Sequence, residues 1–341
     1  MTLPYGDQPR LEQAPADLAA ENPAEDSGRE ESPVESGAVA PGEETDLAPP
    51  PQPLVLEEPP LFASFIQPEV RPPARIPHLG HVLLVLPILL MAAFITRILA
   101  SIALYFHFGG VSTPEAATNN IAYTLVPEGL IYLLTLAGCL ISFPPIWHRS
   151  LFQGLQWNGI TALHLRWQLM GAGFVCFVLA ILNLLFIPGP SNTPIEKVFK
   201  EPGAAWFLFL FGITFAPFFE ELFFRGFLLP ALCTAYDWLA ERIYHVPRRP
   251  MGPDDEPRWS LSAMVIASCV TSAPFALMHA EQTGNSVDAV LLLACVSLVL
   301  CAVRLFTRSL ASSVFVHSFY NFLLFSMMLL GTEGFKHLDK M

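Results

Sequence analysis

Seven apolar segments dominate this sequence, and each is long enough to cross a lipid bilayer. A membrane-spanning helix needs about 20 mostly apolar residues, because the hydrocarbon core is about 30 Å thick. The candidate spans are residues 80–105, 121–146, 167–187, 205–230, 260–280, 286–303 and 309–331. The high hydrophobic content, 53% of the residues with only 14% charged, is typical of the same class. We therefore predict an all-α fold, a polytopic membrane helix bundle of about seven to eight transmembrane segments.

The negative charge of the chain is concentrated before the first span. Residues 1–76 hold fifteen Asp and Glu against four Arg, a net charge of −11, which leaves −1 of the chain's −12 for the remainder. This stretch is rich in Pro, Glu and Ala and cannot bury enough apolar surface to offset the entropy of ordering. We predict a disordered acidic tail over 1–76 and a membrane domain over 77–335. No basic patch indicates a nucleic-acid partner, so the predicted partners are membrane lipid and a substrate.

Basic residues in the short connections predict the orientation of the spans. Cytoplasmic loops of membrane proteins carry an excess of Lys and Arg. If all seven segments cross, four basic regions fall on one side: Arg71 and Arg75, Arg149 and Arg166, Arg242 with Arg248, Arg249 and Arg258, and Arg304 with Arg308. We therefore predict a cytoplasmic N-terminal tail, and the short basic loops suit a bacterial inner membrane.

One span carries a charged cluster, at residues 218–225. Charges are rare inside spans and mark functional sites by default. Glu221 and Arg225 are four residues apart, so on a helix they share a face and can pair, whereas Glu220 lies about 100° further round. The alternative is an ion pair that only fixes helix packing. The pattern predicts one glutamate held by Arg225 and a second glutamate free to act.

Two later spans add histidines and an amide. His279 follows Phe275 by four residues, and Asn321 follows His317 by four, so each pair shares a helix face. Each motif alone could be a buried histidine or interhelical hydrogen bonding. Together with Glu220 they provide a general base and donors for a developing oxyanion, which hydrolysis by an activated water requires. Glu220, His279 and His317 could equally bind Zn²⁺, although the metalloprotease H-E-x-x-H helix is absent.

The ordered motifs E-E-x-x-x-R, F-x-x-x-H and H-x-x-x-N resemble the CPBP family of intramembrane proteases, which includes the CAAX prenyl endopeptidases. The resemblance covers about residues 190–330, and every motif position is filled. It implies that Glu220 activates the attacking water with help from His279, and that His317 and Asn321 stabilise the oxyanion. Glu221 and Arg225 would brace the site. A metal-free glutamate mechanism and Zn²⁺ dependence are both open.

We therefore predict an intramembrane endopeptidase, of CAAX-like glutamate- or metal-dependent type, that hydrolyses a membrane-anchored protein or peptide. The alternatives are a non-catalytic membrane scaffold or regulator with the same fold, and a proton-coupled transporter. The predicted spans raise one geometric difficulty. They place His279 near the outer end of its segment, but Glu220 and His317 nearer the cytoplasmic half. For the three to meet, segment 260–280 must start well below the membrane or be re-entrant.

Overall fold

The computed structural model describes residues 75–118, 120–186, 204–252 and 256–336. Within these ranges the chain contains helices and no strand, and seven helices are long and apolar enough to cross a membrane. Large apolar side chains are exposed along them, as lipid contact requires; examples are Leu83, Leu90, Phe174 and Val265. The prediction of an all-α membrane helix bundle is confirmed.

The described helices run as follows in chain order. They are α1 (Leu79–Tyr105), α2 (Pro114–Thr118), α3 (Ile121–Trp147), α4 (Leu151–Gly154), α5 (Gly159–His164), α6 (Arg166–Phe186), α7 (Ala204–Ile213), α8 (Phe215–Glu221), a π-helical segment (Leu222–Leu228), α9 (Leu229–Ile243), α10 (Leu261–Met278), α11 (Val287–Thr307) and α12 (Leu310–Gly331). A 3₁₀ turn, Phe108–Gly110, follows α1.

The fourth apolar segment is much longer than its predicted range of 205–230. From α7 to α9 it forms one run over Ala204–Ile243, 40 residues in all, or about 60 Å at the rise of an α-helix. The extension is most of α9, whose polar positions such as Asp237 and Glu241 ended the apolar pattern in the sequence. The amphipathic stretch 236–243 predicts such a continuation of the fourth helix, and the structure confirms it. Glu220 therefore lies near the middle of this long helix and not near one end.

Helix α10 packs antiparallel against the second half of the long helix. The pairing begins where the Ser260 N–H donates to Asp237 at 2.9 Å, and it ends where Phe275 packs on Phe224, with ring centres 5.2 Å apart. His279 follows the last residue of α10 and therefore reaches the level of Glu220. The geometric difficulty disappears because the long helix extends far past Glu220, and α10 is a single continuous helix, not a re-entrant segment.

The helix that carries His317 is packed on several sides. On one side of α12, Val316 and Tyr320 belong to a buried cluster with Leu169 and Cys176 of α6. On another side, a Cβ on Gly212 of α7 would meet the Phe325 ring at 2.6 Å, so the two helices are in very close contact. This packing sets the height and rotation of α12, and therefore the place of His317.

The connection after α3 folds back onto that helix, and its tightest point is Gly154. A Cβ on Gly154 would lie 2.5 Å from Cζ3 of the buried Trp147 indole. We expect Gly154→Ala to lower the free energy of unfolding by about 1–3 kcal/mol, the usual effect of overpacking. Gly171 of α6 is the matched control, because a Cβ there has no neighbour within 4 Å in the described part of the chain. Thermal unfolding in detergent checks both variants, and equal melting temperatures would contradict the expectation.

The predicted acidic tail lies outside the described residues except for its last two positions. Arg75 is buried and donates to Glu241 at 2.7 Å, and Ile76 packs on the cluster around Phe143. These two residues belong structurally with the membrane domain, whose predicted start was residue 77. The division into a disordered tail and a membrane domain otherwise stays a prediction.

Candidate active site

The two adjacent glutamates stand at the junction of α8 and the π-helical segment. Glu221 is the last residue of α8, and its Oε1 accepts from Nη1 of Arg225 at 2.8 Å, with both side chains fully buried. The Arg225 guanidinium also donates to the main chain and hydroxyl of Ser297 on α11 and lies 4.4 Å above the Phe275 ring. The predicted Glu221–Arg225 pair is therefore present, and α10 and α11 enclose it. Segments of π-helix occur frequently at functional sites.

His317 bridges the two glutamates. Its Nδ1 lies 3.0 Å from Oε1 of Glu221, and its Nε2 lies 3.8 Å from Oε2 of Glu220. Because a carboxylate accepts, the Nδ1–H of His317 donates to Glu221, which directs Nε2 at Glu220. The contact with Glu221 was not predicted from the sequence, which assigned that carboxylate to Arg225 alone.

His279 approaches Glu220 from the other side. Its Nδ1–H donates to the carbonyl of Phe275 at 2.9 Å, so its Nε2 faces Glu220 Oε1 at 3.7 Å. Main-chain hydrogen bonding of one ring nitrogen is a common way to orient the other. Glu220, described from the sequence as the glutamate without a partner, lies between two imidazoles. The three motifs, far apart in the sequence, converge as predicted.

An apolar cavity of about 190 Å³ adjoins Glu220. Its walls come from α1, α3, α8, the π-helical segment and the end of α10, and Glu220 of α8 is the charged residue in the lining. Side chains such as Leu89, Cys139 and Phe223 make the walls mostly apolar. The Glu220 side chain is 11% exposed. An apolar group in this cavity would lie next to the carboxylate.

A third acidic residue near the site, Glu128, was missed from the sequence. The hydroxyl of Tyr132 on α3 donates to Glu128 at 3.3 Å, and the Tyr132 ring stacks on Phe219 with centres 4.8 Å apart. Tyr132 lines the same cavity as Glu220, so Glu128 is held next to the site. The signal was available, because Glu128 is an acidic residue within an apolar span. It was missed because α3 lies outside the region of family resemblance.

Asn321 lies one turn beyond His317 on α12 but contacts a different helix. Its Nδ2 donates to the Gly212 carbonyl of α7 at 2.7 Å, and its side chain makes no hydrogen bond to Glu220 or His317. A primary amide has two N–H groups, so this bond leaves one of them for another acceptor. The amide is held in place by α7, not by the histidine beside it.

Glu220, His279 and His317 were also predicted as zinc ligands. Across the part of the chain that the structure describes, no group of three His, Cys, Asp or Glu side chains is arranged to hold a metal ion. Zinc binding by these residues stays a prediction, and we derive no chemical step through a metal.

The comparisons with known proteins agree with the residues that converge here. No curated protein and no solved structure matches the chain. Residues 202–323 match the family model described as "Rce1-like: Type II CAAX prenyl endopeptidase Rce1-like". The match includes Glu220, Glu221, Arg225, His279 and His317, together with Asn321. It confirms the resemblance seen in the three motifs: residues 202–323 of this integral membrane protein are similar to the Rce1-like type II CAAX prenyl endopeptidases.

Proposed function

We propose that this protein is an intramembrane endopeptidase that hydrolyses a peptide bond with a water molecule activated by Glu220. One observation carries the proposal, namely that the Glu220 carboxylate lies 3.7 and 3.8 Å from two imidazole nitrogens at the wall of an apolar cavity. A general base must reach the proton that it removes directly or through one water. A carboxylate between two oriented histidines, beside space for an apolar chain, meets that requirement.

The chemistry follows from the positions of these groups. A water between Glu220 and His279 gives its proton to the carboxylate as its oxygen attacks the carbonyl carbon of the substrate. The developing oxyanion is stabilised by the Asn321 N–H that Gly212 leaves unused and by Nε2 of His317 when protonated. The C–N bond then breaks, and Glu220 passes its proton to the leaving amine. The products are a new carboxyl terminus and a new amino terminus.

Glu221 and Arg225 act on this chemistry indirectly. Glu221 receives hydrogen bonds from Arg225 at 2.8 Å and His317 at 3.0 Å, so its charge is compensated and it orients the imidazole ring. A buried carboxylate with two donors is a poor proton acceptor for a substrate water. Glu220 therefore takes the role of base, and Glu221 that of a positioning residue.

For the substrate, we propose a peptide or a membrane-anchored protein segment whose apolar part enters the cavity beside Glu220. The family match makes a peptide with a prenylated C-terminal CAAX sequence the first probe. Charged substrates would lose hydration on entering walls such as Leu89 and Phe223. We further propose a bacterial inner membrane location with the N-terminal tail on the cytoplasmic side, which the basic connections favour even without Arg304, a buried residue of α11.

The test is cleavage of a fluorogenic farnesylated CAAX peptide and of an unmodified apolar peptide by the purified full-length protein in lipid nanodiscs. We expect His279→Gln to lower kcat by about 10²–10⁴-fold, the usual contribution of acid–base assistance. The matched control is His164→Gln, because His164 is exposed at the end of α5, and it should cleave at the parent rate. Cleavage of neither peptide by the parent protein would favour a scaffold over an enzyme.

The same assay addresses metal dependence. We propose that the glutamate mechanism operates without a metal, so exhaustive treatment with a chelator should leave the cleavage rate unchanged. Loss of cleavage on chelation, with recovery on addition of Zn²⁺, would refute this part of the proposal and assign Glu220, His279 and His317 to the ion.

A further inference from the structure

The π-helical segment leaves the carbonyl of Arg225 without a main-chain donor. In an α-helix this carbonyl would accept from Leu229 N–H, but that N–H donates to the carbonyl of Phe224. In a π-helix it would accept from residue 230, which is Pro230 and has no N–H. Both ordinary donors are therefore unavailable. A buried carbonyl without a partner costs free energy comparable to a lost hydrogen bond.

Arg304 of α11 provides the missing donor. Its Nε donates to the Arg225 carbonyl at 3.2 Å. Arg304 itself is buried, with 2% of its surface exposed. The other acceptors of this guanidinium are also uncharged oxygens, and among the described residues it makes no ion pair. Burying an arginine without a carboxylate is unfavourable. Its position is accounted for by the carbonyl that the π-helical turn and Pro230 leave open.

The same guanidinium connects this carbonyl to the start of α12. Nη2 of Arg304 donates to the Leu155 carbonyl at 3.3 Å and to Oε1 of Gln156 at 2.8 Å. The Gln156 carbonyl in turn accepts from Leu310 N–H at 3.0 Å, at the first residue of α12. Two further helical turns along α12, His317 contacts Glu221. Arg304 thus joins the turn that carries Arg225 to the helix that carries His317.

We propose that Arg304 is a positioning residue of the active site. By replacing the N–H that Pro230 lacks, it holds the π-helical turn in register and keeps Glu221 and Arg225 aligned with His317. The proposal rests on the proposed protease function and extends it. It also explains how a proline can follow the catalytic motif without unfolding the turn that presents the glutamates.

The test is a double-mutant experiment with Arg304→Gln and Pro230→Ala in the full-length protein in nanodiscs. Arg304→Gln should lower kcat by about 10²-fold with little change in KM, because small misplacements of catalytic groups have effects of that size. Pro230→Ala restores an N–H that can reach the Arg225 carbonyl. The double variant should therefore have a kcat at least about tenfold higher than that of Arg304→Gln alone. Arg308→Gln is the matched control, because Arg308 is half exposed and pairs only loosely with Glu256, at 3.6 Å.

Hydrogen exchange of the amides in residues 222–229 provides a readout independent of cleavage. Arg304→Gln should speed this exchange, and Pro230→Ala in the same background should slow it again. If the parent cleaves peptide but Arg304→Gln keeps its kcat, or Pro230→Ala brings no recovery, the positioning role is refuted while the protease function stands. If the parent cleaves nothing, the protease function fails. The exchange rates then decide alone whether Arg304 holds the turn, and unchanged exchange would overturn that claim too.

Discussion

Glu220→Gln is expected to abolish peptide cleavage while the protein remains folded and inserted in the membrane. Glutamine preserves the size and shape of the side chain but cannot take a proton from water. We expect kcat to fall by about 10³-fold or more, at the upper part of the range for general base catalysis. The fold should tolerate the change, because Glu220 contacts its two imidazoles at 3.7 and 3.8 Å and makes no tighter ion pair with any other residue that the structure describes.

The measurement pairs the cleavage assay with thermal unfolding of the same preparation. Glu115→Gln is the matched control, since Glu115 is exposed on the short helix α2 and distant in the sequence from the motifs. Cleavage by Glu220→Gln near the parent rate would show that another group is the base. Unfolding of Glu220→Gln alone, with a stable Glu221→Gln, would mean that the roles of the two carboxylates are reversed.

Glu221→Gln is expected to have the largest effect on stability. The substitution removes the charge that compensates Arg225 in a site where both side chains are fully buried, with the oxygen and nitrogen 2.8 Å apart. Breaking a buried ion pair by removing one partner costs about 3–5 kcal/mol, because the other charge stays buried without compensation. Activity should fall as well, since His317 loses the acceptor that orients its ring.

A surface ion pair provides the matched control for this loss. Glu256 pairs with Arg308 at 3.6 Å, with side chains 32% and 53% exposed, so Glu256→Gln should cost about 0–1 kcal/mol. Both variants can be unfolded by heat or denaturant in the same detergent. If Glu221→Gln and Glu256→Gln lowered the free energy of unfolding by the same amount, the assignment of Glu221 as the structural carboxylate would be wrong.

The contacts that could be predicted were those within one helix. Glu221 and Arg225 are four residues apart, and the 3.6-residue period places them on one face whether the turn is ideal or, as here, partly π-helical. The span lengths were predictable for the same reason, because bilayer thickness and helical rise define them. The apolar pattern of the fourth span ended early because α9 is amphipathic, although the amphipathic stretch 236–243 did predict that the helix continues past the span, as it does.

The contacts between helices could be anticipated as a group but not as individual pairs. The motif order indicated that Glu220, His279 and His317 belong together, whereas the bond between His317 and Glu221 joins residues 96 positions apart. The same holds for Asn321, whose amide binds the Gly212 carbonyl 109 positions away. Such pairs depend on the height and rotation of one helix against another, and these follow from packing over the whole length of both.

The sequence by itself determined that this protein is a membrane helix bundle and which polar residues its spans carry, because hydrophobic length and helical period are local properties of the chain. Only the tertiary structure decided which glutamate orients His317, that Glu128 binds Tyr132 in the wall of the cavity, and that Arg304 supplies a donor to the Arg225 carbonyl. These relations arise where several helices meet. Each depends on the packing of side chains that lie far apart in the sequence, and no local period encodes it.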